Sequence, residues 1–114
     1  MNTGPAWKPP RRMDKECIPL CRAMNSVPGV VTDSSCSGHG KEPFRVFFRV
    51  DKIASLYLIA RCLDTRYGCP SKQWQCVVID TDIIETRPVE FAVSSGSLRG
   101  ERAYRHANVL AENL

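Results

Sequence analysis

"PFRVFFRV", residues 43–50, is the stretch that decides the fold of this 114-residue chain. Phe44, Val46, Phe48 and Val50 alternate with Arg45, Phe47 and Arg49, so an extended backbone puts the apolar set on one face and the arginines on the other. That period of two is the mark of a strand with one face buried.

Working outward, Asp51 can cap a following helix in which Ile53, Leu56, Tyr57, Ala60, Leu63 and Tyr67 recur at helical spacing, with Gly68 as its stop. Upstream lie a glycine turn, a short strand "VVTDS" (30–34) and the breaker "VPG" (27–29). Before these, Leu20, Cys21 and Met24 share one face of a helix spanning about 17–26, with Pro19 confined to its first turn. Downstream, "WQCVVID" (74–80) and "VEFAVS" (89–94) are β-rich runs joined by the loop "TDIIETRP" (81–88). A last helix over 98–114 carries Ala103, Ala107, Leu110, Ala111 and Leu114 on one stripe, and Ser95 or Ser97 is placed to cap it.

The order α-β-β-α-β-β-α predicts an α+β, two-layer domain. Two hairpins joined edge to edge form a four-stranded, mostly antiparallel sheet, with about three helices on one face and the other face open. Residues 13–114 make this single domain. Residues 1–12, rich in proline and positive charge, read as a mobile N-terminal tail.

The chain carries 16 Lys and Arg against 12 Asp and Glu, a net charge of +4. Eleven of the cations are arginines, whose forked guanidinium suits phosphate and carboxylate. No apolar run resembles a signal peptide's core or approaches the roughly 20 residues that cross a bilayer, so a cytoplasmic protein with no membrane association is expected. In such a reducing compartment the six cysteines are expected as free, mostly buried thiols. Cys17 and Cys21 have no second close pair at a zinc-ligand spacing, so no metal is expected.

Three stretches carry candidate chemistry. In "SSCSGHG" (34–40), Gly38 and Gly40 can open conformations that turn peptide N–H groups inward, and the hydroxyls of Ser34, Ser35 and Ser37 lie alongside. Ser34, Ser35, Cys36, Ser37, Gly38, His39 and Gly40 are thus candidate contacts for an anion such as a phosphate. Cys36 and His39 form a thiol–imidazole pair, a weak nucleophile candidate that lacks an orienting third group. A second serine–glycine segment, "SSGSLRGER" (94–102), leads into the last helix, whose N-terminus with Ser95, Ser97, Arg99 and Arg102 would favour an anion. Arg45, Phe47 and Arg49 combine cations with an aromatic ring on one strand face, a pattern that can hold a nucleic-acid backbone and stack a base.

"SSCSG" within "TDSSCSGHG" resembles the serine–serine–cysteine–serine–glycine–arginine signature of the tRNA methyltransferases that act third in wybutosine synthesis. Residues 28–50, with "PGVVT" before the turn and "PFRVFF" after it, are also similar to small bacterial, phage and mobile-element proteins with a cysteine–x–glycine–histidine–glycine turn. The first resemblance implies an α+β domain handling S-adenosylmethionine and RNA, with Ser34, Ser35, Cys36, Ser37 and Gly38 lining the site. His39 stands where that family has arginine.

The leading expectation is a cytoplasmic protein that binds an anionic ligand, a nucleotide or RNA, at residues 34–40. Two alternatives stay open: an S-adenosylmethionine-dependent RNA-modifying methyltransferase, and a homodimeric protein-interaction module. Whether the chain is an enzyme is open as well.

Overall fold

The computed structural model describes residues 7–79 and 89–114; the expected 81–88 loop and residues 1–6 lie outside the described residues. The elements are α1 (Ile18–Asn25), β1 (Val30–Cys36), β2 (Arg45–Val50), α2 (Ile53–Cys62), β3 (Gln75–Val78), β4 (Phe91–Ser94) and α3 (Gly100–Asn113), in the order α-β-β-α-β-β-α. The four strands form one sheet in the order β1-β2-β4-β3, antiparallel at every pairing. Two hairpins are joined along β2 and β4, with Arg45 opposite Ser94 and Phe48 opposite Phe91.

The alternation in β2 sets the two faces. Phe44, Val46 and Phe48 are wholly buried, together with Val93 of β4, against Leu20, Cys21 and Met24 of α1 and Ala103, Ala107 and Leu110 of α3. Small alanines on α3 let it lie close to α1, and Pro19 sits in the first turn of α1, where no helical N–H is lost. Phe44 meets Trp74 edge to face at 5.8 Å, and Phe48 stacks on Phe91 at 5.7 Å. Within the stretch expected as a tail, Trp7 packs against this core and lies beneath the Arg22 guanidinium, while Lys8, Pro10, Arg11 and Arg12 are exposed.

Two expectations change. The helix after β2 is present, but it buries Ser55, Ile59 and Cys62, while Ile53, Tyr57 and Tyr67 are exposed. The rotation follows from Ser55, whose hydroxyl donates to the Pro28 carbonyl at 2.6 Å and so turns α2 toward the 27–29 breaker. The strand expected at 30–34 runs on to Cys36. It does so across a bulge: Thr32 faces Phe48 and Ser34 faces Phe47, leaving Asp33 as the extra residue.

Candidate functional site

Because β1 continues through Cys36, the serine-rich motif is split. Ser34, Ser35 and Cys36 are strand residues, and only residues 37–40 form the turn. Ser37 and Gly38 are buried, Ser35 and Cys36 half-buried, and Ser34, His39 and Gly40 exposed. Gly38 has φ 80°, and a Cβ there would meet the Pro43 carbonyl oxygen at 2.9 Å, so both its backbone and its surroundings demand glycine.

The turn's amides were expected to converge on a guest anion; the chain itself occupies them. Ser37 N–H donates to Asp14 Oδ2 at 2.9 Å, Gly38 N–H to Cys36 Sγ at 3.4 Å, and His39 N–H to Ser37 Oγ at 3.3 Å. The Lys41 and Glu42 amides both donate to the Gly38 carbonyl at 2.9 Å. Asp14 therefore puts a carboxylate where the anion was expected. Its Ser37 amide bond holds the Asp14 carboxyl below its ordinary range, against partial burial and with help from the Ser37 hydroxyl and His39.

Asp14 stands just before the single helical turn Lys15–Cys17 that leads into α1. It brings a third group to the Cys36–His39 pair: one ligand-type atom from each of the three lies within 4.8 Å of the others, and His39 Nε2 is 3.7 Å from Asp14 Oδ2. His39 adopts φ 51° and ψ 32°, the one positive-φ non-glycine among the described residues. That left-handed backbone aims an exposed imidazole back at the strand end. Sequence reasoning missed Asp14, which lies 23 positions before Ser37 and belongs to no local motif. Among the described residues no hydrogen bond joins the Cys36 thiol to the His39 imidazole.

The second serine–glycine segment adjoins the first. α3 begins at Gly100, two residues later than expected, and a Cβ on Gly100 would lie 3.7 Å from Gly40 Cα. Arg99 Nε donates to the Lys41 carbonyl at 3.2 Å, and the same guanidinium also donates to the Gly96 and Leu98 carbonyls. Ser95 is fully buried: its hydroxyl accepts from Phe44 N–H at 2.9 Å and donates to the Leu98 carbonyl at 2.7 Å, so it cannot meet a ligand. Ser97 bonds to the Gln73 side chain at 2.8 Å. No side chain caps α3, and Arg102 projects from its exposed first turn.

On the strand face, Arg49 is committed to Asp33, with Nε 3.0 Å from each carboxylate oxygen and a terminal nitrogen 2.9 Å from one. The bulge creates this pair by turning Asp33 toward β2. Among the described residues Arg45 has no such ion pair, and its buried Nε lacks a hydrogen bond. Phe47 lies half-buried between the two arginines.

The second histidine is elsewhere. His106 Nδ1 accepts from Trp74 Nε1 at 3.2 Å on the core side of α3. All six cysteines are free; burial pushes Cys17 and Cys62 up to about 12 and raises Cys21, Cys69 and Cys76, which suits packing rather than reactivity. Among the described residues no helix is long and apolar enough to cross a membrane. In comparisons with known proteins, no family model, no curated protein and no solved structure matches the chain.

Proposed function

We propose that the protein binds an anionic ligand, of the phosphate type carried by nucleotides and RNA, where the 37–40 turn meets the start of α3. The observation that carries this reading is the meeting of the two serine–glycine segments, Gly40 against Gly100. Around that contact the exposed cations are Lys41, Arg99 and Arg102, with the His39 imidazole alongside, and α3 presents first-turn amides without a side-chain cap. Glu101 in the same turn offsets part of the charge. Arg99 is already held by three carbonyls, which fixes its guanidinium beside the helix start with little left to order on binding. The turn's own amides contribute position rather than donors.

The test is titration of the reduced protein with a nucleoside triphosphate and with a short single-stranded RNA. Binding is expected to weaken as salt rises, because phosphate contacts release counterions. An Arg99→Gln, Arg102→Gln double variant is expected to lose about tenfold or more in affinity at low salt, at roughly 1 kcal/mol per charged contact. Affinity unchanged by the double substitution would remove the junction as the site.

A homodimer is the second reading, favoured by Val77, Val78 and Ile79, which are exposed at the β3 edge of the sheet. Nothing in the arrangement favours S-adenosylmethionine-dependent methyl transfer over these readings. Ser37 and Gly38, which the resemblance would place in that site, are buried under the chain's own hydrogen bonds.

A further inference from the structure

We propose that Asp14, Cys36 and His39 form a binding site for one divalent ion of the zinc class, with the remaining coordination position open to water. Sulfur, imidazole nitrogen and carboxylate oxygen together suit a borderline cation such as Zn²⁺ and not the all-oxygen preference of Mg²⁺ or Ca²⁺. Zinc bonds of about 2.0–2.3 Å place neighbouring ligand atoms of a tetrahedron roughly 3.3–3.6 Å apart. The three atoms here lie within 4.8 Å of one another, and the His39–Asp14 separation of 3.7 Å is already near that span.

Two further features point the same way. Backbone amides hold two of the ligand atoms in place: Ser37 N–H on Asp14 Oδ2 and Gly38 N–H on Cys36 Sγ. Outer hydrogen bonds of this kind fix the orientation of metal ligands. His39 keeps a left-handed backbone, uncommon outside glycine, and in that conformation its ring Nε2 stands 3.7 Å from Asp14 Oδ2. The His39 side chain is 72% exposed, so an ion there faces solvent on one side, the arrangement of a site that keeps a water ligand. The proposal does not depend on anion binding at the α3 start.

Binding displaces the Cys36 thiol proton to solvent, so affinity should rise with pH. The test uses the full chain, reduced with a phosphine, stripped by a chelator and titrated first with Co²⁺ and then with Zn²⁺. Expected are one ion per chain and a thiolate-to-cobalt charge-transfer band that Zn²⁺ removes. Cys36→Ser should abolish the band. His39→Asn, which keeps the turn because asparagine accepts this backbone, should weaken Zn²⁺ binding by about 100-fold. Cys76→Ser should change neither, and Zn²⁺ should protect Cys36 from alkylation by iodoacetamide. A band that survives Cys36→Ser, one lost with Cys21→Ser instead, or undiminished affinity in a folded His39→Asn variant would each overturn the assignment.

Discussion

His106 shows what one residue's surroundings decide. Burial first, then the charges of Arg102 and Arg105, lower its affinity for a proton, and the neutral ring accepts the Trp74 indole N–H. A base held neutral in the folded chain contributes stability that is complete above its ordinary value of about 6.5 and is lost as pH falls below that value toward its lower folded one. Urea midpoints followed by Trp fluorescence should therefore be level from pH 6.5 to about 8, below the range where the buried thiols matter, and decline below 6.5, by less than about 1 kcal/mol for this partly exposed ring. His106→Gln, which still accepts from the indole, should flatten that decline; an identical slope in the variant would show that another group titrates. The sequence pairs His39 with Cys36 and gives His106 no role; the fold bonds His106 into the core edge and stands His39 beside Cys36 and Asp14.

The β1 hairpin and the breaker before it show where element-level reading succeeded and where it stopped. The alternation in 43–50 was legible because packing needs only which face each side chain takes, and the spacing of Leu20, Cys21 and Met24 was legible for the same reason. The face of α2 was not: its apolar residues suit several rotations, and the choice is made by a hydrogen bond from Ser55 to Pro28 in another segment. Asp33 as a bulge, and hence the loss of Arg49 as a free cation, likewise depends on cross-strand register. The 27–29 joint is correspondingly intolerant. Gly29 has φ 84°, and a Cβ there would fall 2.1 Å from an Asp51 carboxylate oxygen and 2.7 Å from Ser55 Oγ. Gly29→Ala is expected to cost roughly 2 kcal/mol or more through backbone strain and displacement of α2, read as a lower thermal midpoint. A midpoint within a degree of the parent's would show that the joint relaxes freely.

For the molecule as a whole, the fold class followed from element order, since two hairpins and amphipathic helices leave few ways to cover one sheet face. The candidate site was half legible: the motif named Cys36 and His39, while Asp14 and the contact between Gly40 and Gly100 arise only when distant segments meet. The open strand edges give the dimer reading its measurement. Sedimentation over a wide concentration range is expected to show self-association that Val78→Lys abolishes, since a charge on an edge strand opposes pairing. A monomer throughout would dismiss it. The packing of α1 against α3 has a bearing on synthesis. A nascent chain that has made both hairpins still exposes Leu20, Met24 and Phe44 until the final helix emerges to cover them. Its exposure to proteases and to sticky encounters should therefore persist until α3 has emerged, and a chaperone that delays collapse up to that moment would raise its yield more than one acting earlier.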